Sequence, residues 1–232
     1  ILVAGARPNF MKIAPLMHAL KGHKNIKTIL VHTGQHYDVK MSGQFFTELN
    51  IPNPDINLEV GSASHAVQTA RIMEGFEQVC LKEKPNFVLV VGDVNSTVAC
   101  TLVASKLGIT NIHYEAGLRS YDRTMPEEIN RLVTDAITDV FITTSVDADE
   151  NLIKEGVEKE KIHMLGNLMV DSLVSNLSKA RDTDLNFKLL NKEKKIHLGT
   201  DFLEANYGVL TFHRPGNVDD KETLKDLIKL WG

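Results

Sequence analysis

The sequence predicts an α/β protein whose parallel sheet carries helices on both faces, and three observations support that reading. Short apolar runs alternate with longer amphipathic stretches from residue 1 to about residue 166, the pattern of consecutive βαβ units. Within the longer stretches apolar residues recur three and four apart, as in Val67, Ala70, Met73, Phe76 and Val79, the spacing of one helix face. Polar and charged residues collect directly after the apolar runs, where open parallel sheets hold their ligands.

Taken in order, the strands are expected at 1–4, 28–33, 87–91, 111–114, 140–143 and 162–165. Helices are expected at 10–21, 38–49, 64–82, 96–107, 127–138, 147–155 and 170–179, a set that suits one doubly wound domain. After Ser178 the composition shifts to Lys, Asp and Asn, as in a surface segment or linker. At 207–212 a new strand is expected, then a loop at 213–217 and a capped helix from Asp219, repeating the opening of the chain. The organisation read from this is a first domain at 1–168, a connecting helix and linker at 169–206, and the start of a second α/β domain at 207–232. Ile1 begins inside an apolar strand and Gly232 ends a helical pattern, so the sequence reads as part of a longer one.

Composition narrows the function. The 232 residues carry a net charge of -4 and a pI near 6.1, without the basic field that nucleic acid requires. Cys80 and Cys100 lie in apolar helical patterns with no Cys-x-x-Cys or Cys/His cluster, which reads as two buried thiols in a reducing compartment and no metal site. No apolar run approaches membrane-spanning length and no secretory leader is visible, so the expected location is the cytoplasm.

The strand ends supply the candidate site. Gly5-Ala6-Arg7-Pro8-Asn9 and Lys12 place positive charge at a helix start, suited to an anion, although solvated surface charges give the same string. Asp93 follows the run 87–91; it is a candidate acid/base and equally a cap for the next helix. Glu115 follows the fourth strand, either reaching the cleft or pairing with Arg119. Pro126-Glu127-Glu128 opens a helix in the way terminus electrostatics favour, with or without a function. His213 and Arg214 follow the strand at 207–212. Together Asp93, Glu115, Glu127 and His213 make an acid/base set that burial and neighbouring cations can tune apart. His18 reads as a surface or partly packed residue, His23 and His65 as such residues without partners, and His36 as a residue at the cleft edge.

The strings GARPNFMKIAPL at 5–16, TGQHYD at 33–38, GDVNST at 92–97, YEAGLRS at 114–120, PEEINR at 126–131, GN at 166–167 and TFHRPGN at 211–217 occur in an order that closely resembles the non-hydrolysing UDP-N-acetylglucosamine 2-epimerases. The resemblance implies two Rossmann-like domains in a GT-B-like arrangement with the active site between them, a longer protein, a homodimer, a role in cell-surface polysaccharide biosynthesis, and no cofactor. It implies that Asp93, Glu115, Glu127 and His213 are catalytic, that Arg7, Lys12, Arg119 and Arg214 bind substrate, and that Gln35 and Arg71 match an allosteric site for a second UDP-N-acetylglucosamine. Three positions depart from the pattern: Asn9 stands where relatives have glutamate, Pro215-Gly216 where they have Arg-Glu, and Asp38 at the second allosteric glutamine. The implied reaction eliminates UDP as the C2 proton leaves, forms 2-acetamidoglucal, and adds UDP back after reprotonation on the opposite face. The rival readings are a hydrolysing epimerase, a GT-B glycosyltransferase and a nucleotide-sugar-binding protein without catalysis.

Overall fold

The computed structural model describes residues 1–34, 53–181, 210–212 and 215–231. The helix expected at 38–49, most of the linker, and Gln35, His36, His213 and Arg214 lie outside the described residues. The chain divides into two compact units, Ile1–Arg181 and Asp182–Gly232.

In the first unit the described strands are β1 (Leu2–Ala4), β2 (Leu30–His32), β3 (Ile56–Asn57), β4 (Phe87–Val91), β5 (Thr110–Tyr114), β6 (Val140–Thr143) and β7 (Ile162–Met164). The helices are α1 (Arg7–Leu20), α2 (His65–Glu83), α3 (Asn95–Lys106), α4 (Pro126–Ala136), α5 (Val146–Lys154) and α6 (Leu168–Arg181). All strand pairs are parallel, in the order β3-β2-β1-β4-β5-β6-β7. The order reverses between β1 and β4, which opens a crevice at their carboxyl ends.

Period-two alternation splits the strand residues between two apolar layers. Leu2, Ala4, Leu30, Leu89 and Val91 pack with Phe10, Ile13 and Ala14 of α1. Val3, Val31, Val88 and Val90 pack on the other face with Ile72, Phe76, Val79 and Cys80 of α2 and Ala99, Cys100 and Val103 of α3. Burying both faces is what a parallel sheet with crossover helices requires. Both cysteines are buried, as expected, and burial pushes the Cys80 thiol up to about 11.

The structure differs from the sequence reading at several boundaries. The short edge strand β3 has only Ile56 and Asn57, too little for any periodicity to register. The helix assigned to the connecting segment packs against α1, where the Ser172 hydroxyl donates to the Met11 carbonyl, and the first compact unit runs to Arg181. Of the strand expected at 207–212, residues 207–209 lie outside the described residues, and 210–212 carry no regular secondary structure. The loop expected at 213–217 gives way to a short helix α7 (Pro215–Val218), with proline in the first turn where no N–H is needed. The helix expected from Asp219 is α8 (Lys221–Trp231); the Asp220 carboxylate takes the Thr223 N–H at 2.8 Å as its cap. No helix among the described residues is long and apolar enough to cross a membrane.

Candidate active site

The crevice between β1 and β4 is laced shut at its floor by Asn9. Its side-chain oxygen accepts from the Gly5 and Ala6 N–H groups at 3.0 and 2.9 Å, and its amide donates to the Val91 carbonyl at 3.1 Å. Ala6, at the N-cap of α1, has no side chain to cap with; Asn9 supplies a reverse bond from the first turn instead. A glutamate at this position has no N–H to offer Val91, so the departure noted at Asn9 has a structural consequence. Arg7 begins α1, and the conformation of its side chain is outside the described atoms.

One turn further along α1, Lys12 is 8% exposed and its ammonium pairs with the Glu115 carboxylate. Glu115 adopts φ +71°, a left-handed conformation that costs a non-glycine residue about 1–2 kcal/mol. Strain of this kind persists only where the surrounding structure holds it, here through the bond to Lys12. The alternative pairing of Glu115 with Arg119 does not occur. Arg119 instead turns inward: its guanidinium meets Asp135 at 2.7 Å and Glu155 at 2.6 and 2.8 Å, donates to the Leu118 carbonyl, and has a side chain 1% exposed. The donors of Arg119 are thus taken up by Asp135, Glu155 and the Leu118 carbonyl.

Asp93 does not cap α3. The N-cap is Val94, with no side-chain bond, and the Asp93 carboxylate meets the Arg131 guanidinium at 2.5 Å. The same guanidinium reaches Glu128 at 2.8 Å, and Asn130 donates to the Asp93 carbonyl at 2.9 Å. Glu128 is buried and also accepts from the Ser120 N–H, the Ser120 hydroxyl and the Tyr121 N–H. Burial works against its charge, but these donors and Arg131 win and hold it below the usual carboxylate range. The loop after β5 is thereby fastened to α4.

Asp93 and Glu127 share a cavity of about 350 Å³ whose wall includes His65, Gln68, Asn95 and Asn130. Glu127 stands exposed in the first turn of α4, where the helix dipole favours a negative charge. His65, read from sequence as unpartnered, contacts Asn95 at 3.2–3.3 Å, and Asn95 donates to Gln68 at 2.8 Å. The Lys12–Glu115 pair lies beside Gly92, the residue before Asp93: a Cβ placed on Gly92 would lie 3.1 Å from the Lys12 ammonium and 3.4 Å from Glu115 Oε2. The structure thus brings Lys12, Glu115, Asp93 and Glu127 around the Gly92-Asp93 turn. Arg71 lies exposed on α2 and is not among the residues lining this cavity.

Sequence reading missed Arg131, Asn130 and Glu128 as site residues, since their places in a helix gave no hint of what they hold. It also missed His113 and Asp135, both buried, which meet at 2.6 Å. A histidine in the middle of an apolar strand was the available signal. Among the described residues no cluster of His, Cys, Asp and Glu has the grouping of a metal site.

A family model described as UDP-N-acetylglucosamine 2-epimerase matches residues 18–231. The UDP-N-acetylglucosamine 2-epimerase of Methanocaldococcus jannaschii is 42% identical over 98% of this chain and 60% of its own length. The crystal structure of that protein in complex with UDP-GlcNAc and UDP superposes with a TM-score of 0.84 at 42% identity, over 98% of this chain and 60% of that one. A UDP-2,3-diacetamido-2,3-dideoxy-D-glucuronate 2-epimerase of Pseudomonas aeruginosa is 38% identical over 99% of this chain and 61% of its own length. A lipopolysaccharide outer core galactosyltransferase, 15% identical over 72% of this chain and 46% of its own length with a TM-score of 0.51, shares the fold alone. The chain therefore spans about 60% of the length of the epimerases it matches.

Proposed function

From the premise that this chain belongs to the UDP-N-acetylglucosamine 2-epimerase family, we propose that the whole protein interconverts UDP-N-acetylglucosamine and its manno epimer without releasing free sugar. The observation that carries this for these residues is the meeting of Asp93, Glu127 and the Lys12–Glu115 pair around one turn at the crevice of the sheet. C2 inversion needs two groups that handle a proton on opposite faces of the ring, and cationic help for a leaving diphosphate. The carboxylates supply the first requirement. Lys12, with Arg7 at the start of α1, supplies the second.

In the proposed reaction one carboxylate takes the C2 proton while the C1–O bond breaks and UDP departs. The C1–C2 double bond that forms is that of 2-acetamidoglucal. A second acid returns a proton to the opposite face of C2, and the UDP oxygen adds back to C1. His213 and Arg214 are proposed to assist the diphosphate, and Gln35 and Arg71 to belong to a second nucleotide-sugar site. We also propose a cytoplasmic homodimer serving cell-surface polysaccharide synthesis; sedimentation of the full-length protein as a monomer at micromolar concentration removes the dimer from this picture.

The deciding experiment incubates full-length protein with UDP-N-acetylglucosamine in heavy water and follows C2 by NMR. Epimerised nucleotide sugar carrying deuterium at C2 is expected. Free N-acetylmannosamine as the main product overturns the proposal in favour of hydrolysis. A second substrate is favoured by the 38% identity to the diacetamido-glucuronate epimerase, so that nucleotide sugar is run in parallel, and turnover of it alone reassigns the substrate.

A further inference from the structure

The carbonyls of Val91, the last residue of β4, and of Gly92 and Asp93 after it lie where the strand ends, and each needs a donor. Each is met by a side chain, and from four different elements. The Val91 carbonyl accepts from Asn9 of α1 and from the Thr97 hydroxyl of α3 at 3.0 Å. The Asp93 carbonyl accepts from Asn130 of α4. Between them the Gly92 carbonyl accepts from Nε2 of His113, on β5, at 2.8 Å.

His113 is fully buried. Its Nδ1 faces Asp135 Oδ1 at 2.6 Å, and Asp135 Oδ2 takes the Gly117 N–H at 3.0 Å and the Arg119 guanidinium at 2.7 Å. A carbonyl can only accept, and so can a carboxylate, so only a ring with hydrogen on both nitrogens satisfies both neighbours. Gly92 itself has φ +69°, and its α-carbon faces the Lys12–Glu115 pair. The loop after β5, anchored through Arg119, Gly117 and Asp135, is thus joined to the loop after β4 by one imidazole.

We propose that His113 is a positioning residue whose Nε2 bond fixes the Gly92 carbonyl, and through it sets Asp93 and Glu115 relative to one another. It touches no substrate; it acts by holding the turn on which the two carboxylates converge. This rests on the reading of Asp93 and Glu115 as acid/base groups.

The test separates the two ends of the imidazole in full-length protein. In His113→Asn the amide nitrogen falls near the Nδ1 position and keeps Asp135 while losing Gly92. In His113→Gln it falls near Nε2 and keeps Gly92 while losing Asp135. Asp135→Asn also keeps the Gly92 tether while weakening its anchor. Because a displacement of about 1 Å at a reacting group costs on the order of a hundredfold, kcat is expected to fall between ten- and a hundredfold in His113→Asn, with KM changed less than about twofold. The other two variants are expected to keep kcat within about threefold of wild type even where their melting temperatures are lower. Hydrogen exchange of the backbone at 91–95 is expected to quicken in His113→Asn and to stay near wild type in the others. Loss of kcat that tracks melting temperature across all three variants overturns the proposal. Should His113→Asn not fold, quickened exchange at 91–95 in His113→Gln or Asp135→Asn overturns it equally. A wild-type protein inactive on both nucleotide sugars refutes the function proposed above, while the exchange comparison still decides the role of His113.

Discussion

The Lys12–Glu115 pair makes a prediction in which stability and activity part company. The two side chains are 11% and 13% exposed, so solvent screens the pair only weakly. Removing one member of such a pair leaves a charge with no partner, a loss of about 3–5 kcal/mol when the remaining charge is fully enclosed. Lys12→Met is expected near 3 kcal/mol, because Glu115 keeps some access to water. Glu115→Gln is expected near 2 kcal/mol, because the amide oxygen still accepts a bond from the ammonium. In the double variant neither charge remains and the methionine fills the space of the lysine stem, so the summed loss of about 5 kcal/mol should shrink to about 2, a coupling of about 3 kcal/mol. Unfolding of the full-length protein by urea, read through the transition of the first unit, gives all four values. Turnover behaves differently: each single variant and the double are expected to lose it by orders of magnitude, since the double restores packing and not the acid or the cation. Additive stability losses, with coupling below about 0.5 kcal/mol, would refute the idea that these two charges exist for one another in the ligand-free protein.

Other consequences are read more directly. Arg131→Lys puts one ammonium where a guanidinium fork spans Asp93 and Glu128, so it cannot hold both; kcat should fall roughly tenfold, the loss expected for a loosened acid/base group, with KM little changed, and an unchanged kcat would show that Asp93 needs no partner. Gly117→Ala combines φ +77° with a Cβ that would lie 2.3 Å from the Ala148 carbonyl oxygen; the backbone on both sides is fixed, so a loss of about 3–4 kcal/mol is expected from strain and overpacking together, visible as a fall in melting temperature. Asp135 is pushed up by burial, but His113, Arg119 and the Gly117 N–H hold it below the usual carboxylate range, and Glu128 is likewise held low. The unfolded chain therefore binds protons that the folded chain refuses: the stabilisation is complete above about pH 4, the ordinary carboxylate value, and is lost as pH falls through the lower folded values. Glu128→Gln should flatten that acid limb in a stability-against-pH series, and an unchanged slope would contradict the assignment. Cys80 and Cys100 should resist a thiol reagent at pH 8 until the protein is denatured, because both are buried and the Cys80 thiol titrates at about 11.

The fold was legible in the sequence wherever one strand or helix carries its own signal. The runs that form β4 and β6 are bounded as the apolar residues bound them, and the helix faces of α2 and α3 follow their three-and-four spacing into the core. β3 escaped because two residues on a sheet edge carry no pattern. The location of the site was legible too, since it needs only the rule that ligands collect at the carboxyl ends of parallel strands.

Pairing was not legible, and Glu115 and Arg119 show why. Four residues apart they invite an ion pair, but that spacing brings side chains together only on a helix, and here the chain is a loop with Glu115 at φ +71° and Gly117 at φ +77°. Those two left-handed residues send neighbouring side chains to different sides. Glu115 goes across the crevice to Lys12, 103 residues earlier, and Arg119 goes down to Asp135 and Glu155. The same holds for Asp93, whose sequence context favours a cap and whose partner Arg131 lies 38 residues on. A carboxylate at a strand end is thus easy to find and hard to assign, because its charge is balanced by whichever cation the sheet order brings beside it. That order, with β1 placed between β2 and β4, is the fact that lets a lysine of the first helix reach a glutamate that follows the fifth strand.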